Sequence, residues 1–124
     1  MKYLCLVYYD EQTLDAMPRD EFAVFSQEHV ALDEDLIKNG HSIAAEALQP
    51  VQTAVTVRMR NGKLSTTDGP FAETKEQLGG FYLIEAADLN EAIQIAARIP
   101  SARLGSIEVR PIWDLRQDEP RVGG

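Results

Sequence analysis

The sequence contains a single cysteine, so no disulfide can form within the chain. It also lacks any apolar run near the roughly 18 residues of a membrane-spanning helix, and we expect no membrane span. The first residues lack the charged region and apolar stretch of a signal peptide. We therefore expect a cytoplasmic protein.

Positive charge is scarce as well. The chain has 12 Lys and Arg residues against 20 Asp and Glu residues, which gives a net charge of −8 at pH 7. Phosphate backbones and anionic membranes repel an acidic protein. We therefore expect no nucleic-acid partner and no membrane partner.

Motifs for metals and nucleotides are absent from the sequence. The two histidines and the one cysteine form no cluster with metal-ligand spacing, and there is no glycine-rich phosphate loop. We therefore predict that the protein uses neither a metal nor an organic cofactor. Cys5 stands in an apolar stretch, where a buried small hydrophobe is expected.

The chain has the length and the 44% hydrophobic content of one soluble domain with its own core. Residues 1–115 are predicted to form this domain, and residues 116–124 a polar, flexible tail. The spacing of apolar residues predicts the element order β-α-β-β-β-β-α-β. The predicted strands are 2–9, 42–48, 54–60, 63–67, 80–86 and 106–113, and the predicted helices are 18–39 and 88–99.

Local signals support these boundaries. Asn61-Gly62 joins two alternating strands and is a strong hairpin signal, because both residues tolerate positive φ. Pro18 suits the first turn of a helix, and Asn39-Gly40 suits its end. Asp88 can cap the second helix.

Without the hairpin, this order matches an α+β, ferredoxin-like split βαβ pattern, an antiparallel sheet with two helices on one face. Both alternating sets of the first strand are apolar: Leu4, Leu6 and Tyr8, and Tyr3, Cys5, Val7 and Tyr9. We therefore expect both sheet faces to be covered. A second copy packed on the open face would complete a two-fold homodimer.

His29 interrupts an apolar helical stripe between Phe25 and Leu32. Burial of an imidazole is costly unless the ring is hydrogen-bonded. Two interpretations stay open. His29 is either a hydrogen-bonded core residue or a functional residue that faces the space between helix and sheet and transfers protons near neutral pH.

Asp68 opens an Asp-Gly-Pro sequence, and this combination favours a tight turn. A structural role therefore explains Asp68 without further chemistry. The alternative is a carboxylate that orients His29 and stabilises its imidazolium form.

Three polar residues near this turn are candidate binding residues. Thr67 could orient Asp68, and Lys75 could contact an anion. Arg58 shares a strand face with Arg60 and could hold a carboxylate substrate. Each of the three is otherwise an exposed side chain.

The segments 67–71 (TDGPF), 73–76 (ETKE) and 79–82 (GGFY) together resemble the DGPF signature of the YCII-related family. The resemblance extends from Met1 to Trp113. It implies a ferredoxin-like fold that dimerises into an α/β barrel. It also implies a histidine–aspartate active site, with His29 and Asp68 at the matching positions.

Two functions are expected on this basis. The first is a cofactor-independent enzyme in which His29 transfers a proton and Asp68 orients it, in an isomerase-like or lyase-like reaction. Arg58, Thr67 and Lys75 would bind its small anionic substrate. The alternative is a non-catalytic ligand-binding or regulatory module, because relatives of this type are linked to extracytoplasmic-function sigma factors.

Overall fold

The computed structural model describes residues 1–117 and 120–121. These residues form six strands, three α-helices and three short 3-10 turns. The strands are β1 (Lys2–Tyr9), β2 (Ser42–Ala47), β3 (Val55–Arg60), β4 (Lys63–Asp68), β5 (Gln77–Glu85) and β6 (Ser106–Pro111). The helices are α1 (Glu11–Asp15), α2 (Arg19–Lys38) and α3 (Leu89–Ala97), and the 3-10 turns are Val51–Thr53, Pro100–Arg103 and Leu115–Gln117.

Four strands form an antiparallel sheet in the order β2-β5-β1-β6. This mixed α+β arrangement is compatible with the predicted ferredoxin-like fold. Strands β3 and β4 form a separate two-stranded sheet. Asn61 and Gly62 join them with φ angles of 53° and 75°, which confirms the hairpin predicted from this residue pair.

The core lies between one face of the four-stranded sheet and the two longer helices. Tyr3, Cys5 and Val7 of β1 are buried in this core with residues of α2 and α3. The helical contributions are Leu32, Leu36, Ala92, Ile95 and Ala96. Because strand side chains alternate between faces, Leu4 and Leu6 lie on the opposite face, where they are only half-buried.

Cys5 is fully buried, as predicted. Burial raises the pKa of its thiol to about 11. The thiol is therefore protonated at neutral pH and contributes to the protein as a small apolar side chain.

The sequence pattern did not predict α1. This helix has five residues, too few to display a helical apolar period, and the Asp10 side chain caps it by accepting a hydrogen bond from the Gln12 amide. Strand β5 begins at Gln77 rather than at the predicted residue 80, because Gln77 and Leu78 still pair with β1.

The predicted tail begins within the last 3-10 turn, Leu115–Gln117. Residues 118–119 and 122–124 of that tail lie outside the described residues. Within residues 1–117 and 120–121, no helix has the length and apolar character needed to cross a membrane.

Candidate active site

A cavity of about 550 Å³ lies between α2 and the four-stranded sheet. This volume is in the range of small-molecule sites. Its walls are largely apolar and aromatic, and they include Val7, Tyr9, Phe22, Phe25, Ala45 and Tyr82. His29 also borders this cavity, which is the location predicted for a functional histidine.

Both ring nitrogens of His29 have hydrogen-bond partners. Nδ1 lies 2.8 Å from the carbonyl oxygen of Phe25, and Nε2 lies 2.7 Å from Oγ of Ser101. A carbonyl oxygen only accepts, so Nδ1 carries the hydrogen. In the neutral ring, Nε2 then accepts the hydroxyl hydrogen of Ser101. His29 is thus hydrogen-bonded between α2 and the sheet, and it also lines the cavity.

The environment of His29 favours its neutral form. Burial lowers the pKa of His29 below its usual 6.5, and the Arg103 guanidinium acts in the same direction. The hydrogen bond to Phe25 and the Glu28 carboxylate oppose this shift but do not cancel it. A neutral imidazole with a basic Nε2 can accept a proton at neutral pH.

Ser101 is the site residue that sequence reasoning missed. It lies in the 3-10 turn that follows α3 and is 2% exposed. Arg103 of the same turn forms an ion pair with Glu28 of α2 at 3.2 Å, which ties the turn to the helix. A serine after a proline in a loop carries no sequence signal of its own. Its partner His29 stands 72 positions earlier.

The other four candidate residues lie on a projection formed by β3, β4 and the loop 69–76, which we call the arm. Asp68 and Thr67 are exposed on β4, and Lys75 is exposed in the loop. The guanidinium of Arg58 lies 5.9 Å from the centre of the Phe71 ring, a cation–π contact. None of these residues is among those that line the cavity.

The geometry within one chain does not pair His29 with Asp68. The hydrogen-bond partners of the His29 ring are Phe25 and Ser101. Thr67 and Asp68 are consecutive strand residues, so their side chains point to opposite faces of the arm. A catalytic role for Asp68 stays a prediction, as do binding roles for Arg58, Thr67 and Lys75.

Comparison with known proteins decides the family. The YCII-related domain family matches residues 1–116. The chain belongs to the YCII-related family. A protein of Rhizobium meliloti (strain 1021), itself described as uncharacterized, is similar to it, with 39% identity over 114 residues. The alignment covers 90% of this chain and 92% of that relative. Membership confirms the resemblance to the YCII-related family drawn from the sequence.

The charged residues around the cavity of this YCII-related protein are acidic. Asp33, Glu34 and Glu46 border it, and no Lys or Arg is among the described lining residues. Because Glu46 pairs with Phe81, its side chain lies on the opposite face of the sheet, so the carboxylates at the cavity are those of Asp33 and Glu34. Carboxylates repel an anionic ligand and tolerate a neutral one. A second pocket of about 450 Å³ shares the Tyr9 and Phe22 walls and does include a cation, Arg19.

Tyr82 is a second ionisable group in the cavity wall. Burial, followed by the Asp33 carboxylate, raises the pKa of Tyr82 to about 12. The phenol is therefore neutral at physiological pH, and its hydroxyl lies 3.4 Å from the His29 carbonyl oxygen. Asp33 accepts a hydrogen bond from Ser42 Oγ at 2.6 Å, which fixes the carboxylate beside β2.

The described residues contain no cluster of side chains that could bind a metal ion. Across residues 1–117 and 120–121, no group of three or more His, Cys, Asp or Glu side chains is placed to hold a metal ion. The chemistry that this site offers comes from the imidazole of His29 and the hydroxyls of Ser101 and Tyr82.

Proposed function

We propose that this protein binds a small, uncharged and largely apolar molecule in the cavity between α2 and the sheet. His29 accepts a proton there, in an enzyme that needs neither a metal nor an organic cofactor. One observation carries the proposal: His29 borders the cavity with its Nδ1 hydrogen held by Phe25, which leaves Nε2 as the basic nitrogen.

The charge of the ligand differs from the expectation drawn from the sequence. A small anionic substrate was expected because Arg58 and Lys75 could hold it. Neither residue lines the cavity of its own chain, whereas the acidic residues Asp33 and Glu34 of α2 do. An uncharged ligand avoids their repulsion and gains free energy from the aromatic walls.

A fragment screen by protein-observed NMR tests the binding site. The probes are matched pairs that differ in charge, such as benzamide and benzoate or methyl phenylacetate and phenylacetate. We expect the neutral member of each pair to shift the signals of His29 and its cavity neighbours, and the carboxylate to shift them less. Preferential binding of the carboxylates, or no shift at the cavity with either member, would contradict the proposal.

Variants at two alanines locate the binding. Ala45 borders the cavity and is half-buried, whereas Ala23 is exposed on α2. Ala45→Phe should fill part of the cavity and weaken the fragment-induced shifts. Ala23→Phe adds the same side chain outside the cavity and should leave the shifts unchanged.

We further propose that a second copy of the chain covers the open face of the sheet, as in the dimeric α/β barrel that the resemblance implies. Leu4 and Leu6 of β1 lie opposite Leu83 and Phe81 of β5 on this face. The four side chains form an apolar patch on the two central strands. Burial of such a patch against a copy of itself is a common source of two-fold dimers.

A non-catalytic ligand-binding or regulatory module is the second candidate function. The hydrogen bonds of His29 favour this candidate, because both ring nitrogens already have partners within the protein. No buried side-chain polar atom of the described residues lacks a partner. The arm also exposes Val55, Val57 and Met59, which offer an apolar surface to a partner protein. A stable complex with an extracytoplasmic-function sigma factor, without turnover of any neutral ligand, would support this candidate.

A further inference from the structure

Ser101, His29 and the Phe25 carbonyl form a continuous chain of hydrogen bonds. The Ser101 hydroxyl donates to His29 Nε2 at 2.7 Å, and His29 Nδ1–H donates to the Phe25 oxygen at 2.8 Å. A hydroxyl nucleophile, a base and a group that orients the base are the parts of an activated serine. Here the main-chain carbonyl of the preceding helical turn takes the orienting role.

We propose that Ser101 is a nucleophile activated by His29, and that the cavity accepts a neutral carboxylic ester whose acyl group is transferred to Ser101. This inference rests on the proposed function, because it places the reaction in the same cavity. It adds the reacting atom and the substrate class, and it makes His29 a base toward Ser101 rather than toward the ligand.

The reaction balances with water as the only co-substrate. Ser101 Oγ bonds to the ester carbonyl carbon while its proton passes to His29 Nε2. The tetrahedral intermediate then loses the alcohol, which takes that proton from His29. Water attacks the acyl-serine, gives its proton to Nε2, and releases the carboxylic acid after the proton returns to Ser101 Oγ. The sum is ester plus water to acid plus alcohol.

The position of Ser101 supports this role. Ser101 is 2% exposed, yet it borders the same cavity as His29. Its hydroxyl is therefore shielded from bulk water. The 2.7 Å hydrogen bond holds nucleophile and base together before a ligand arrives, and an exposed ion pair between Arg103 and Glu28 also joins the turn to α2.

The same cavity supplies an internal comparison. Ser26 also borders it but has no hydrogen bond to a histidine among the described residues. If cavity access alone made a serine reactive, Ser26 and Ser101 would react alike. If His29 activates the hydroxyl, only Ser101 reacts.

The test is labelling of the full chain with diisopropyl fluorophosphate, a neutral electrophile that forms an O–P bond and releases fluoride. Intact-protein mass spectrometry should detect one added diisopropylphosphoryl group, and peptide mapping should place it on Ser101. Ser101→Ala should abolish the adduct, and Ser65→Ala, at an exposed serine of the arm, should leave it unchanged. His29→Gln should slow labelling by at least about 100-fold, because a general base typically accelerates a reaction by this factor or more.

The pH dependence of labelling separates base catalysis from simple access. The charged groups that act on the His29 ring are Glu28 on α2 and Arg103 on the turn, and the Tyr82 hydroxyl of β5 lies near the His29 carbonyl oxygen. The labelling rate should rise with a midpoint below pH 6.5 and then stay constant, because neutral His29 is the active form. A rate without such a midpoint would overturn the role of His29.

An unlabelled wild-type protein, or an adduct mapped to any residue other than Ser101, overturns the proposal even if Ser101→Ala does not fold. The fragment screen separates this failure from failure of the proposed function. Neutral fragments that bind at the cavity of an unreactive protein would refute the nucleophile and keep the binding site. Absence of binding would refute the binding site.

Discussion

The Tyr9 ring occupies the space that a side chain at Gly79 would need. A Cβ atom built on Gly79 would lie 2.3 Å from the hydroxyl oxygen of Tyr9, well inside van der Waals contact. Both residues line the cavity. The absence of a side chain at Gly79 therefore lets the Tyr9 phenol lie against β5 and form a wall of the candidate site.

Gly79→Ala should destabilise the protein and deform the cavity. The added methyl group must displace the Tyr9 ring, and overpacking of this kind costs about 1–3 kcal/mol in the free energy of unfolding. Denaturant unfolding measures the loss. In a Tyr9→Ala background, the same change should cost much less, because the obstructing ring is gone. Equal costs in both backgrounds would contradict the account.

The stability of the protein should depend on the protonation of His29. Its pKa in the folded state lies below the 6.5 of an unfolded chain, so protons bind the unfolded state more tightly. The contribution of neutral His29 is complete above pH 6.5 and is lost as the pH falls from 6.5 toward the lower folded pKa. The unfolding free energy of the wild type should therefore fall more steeply below pH 6.5 than that of His29→Gln. Parallel curves for the two proteins would contradict a lowered pKa.

Asp68→Asn should leave the pKa of His29 unchanged, because Asp68 is not a partner of the ring within one chain. Glu28→Gln is the matched control. The Glu28 carboxylate raises the pKa of His29, so its removal should lower that pKa. NMR titration of the ring protons measures both variants. A lower pKa in Asp68→Asn would instead support the His29–Asp68 pair, with the carboxylate supplied by the arm of a second copy.

The open face of the sheet should mediate self-association. Light scattering after size-exclusion chromatography should give the mass of a dimer for the wild type. Leu4→Asp should produce monomers, because it places a charge in the apolar patch. Val24→Asp is the control, since Val24 is 62% exposed on α2, and it should remain dimeric. A monomeric wild type would contradict the proposed dimer.

The sequence predicted the elements whose signals are local. Strand β1 has the predicted bounds, residues 2–9, because its two alternating apolar sets are unbroken. The hairpin followed from two residues that accept positive φ. Helix α2 begins and ends within a residue of Pro18 and Asn39, whose chemistry marks helix ends.

Only part of the candidate site could be predicted from the sequence, because its contacts join distant parts of the chain. His29 was recognisable as a polar residue in an apolar stripe. Its partner Ser101 was not, because only the packing of a 3-10 turn against α2 brings the two together. Gly79 was recognisable as part of the GGFY segment, but its packing against Tyr9 was not, because that contact depends on where the Tyr9 ring lies.

The most direct test of the central claim is nitrogen-15 NMR of the His29 ring across pH, with His41→Gln to assign the signals. We expect a neutral ring at pH 7 with hydrogen on Nδ1 and a pKa below 6.5. Hydrogen on Nε2, or a pKa at or above 6.5, would contradict the claim that Nε2 of His29 is the base of this site.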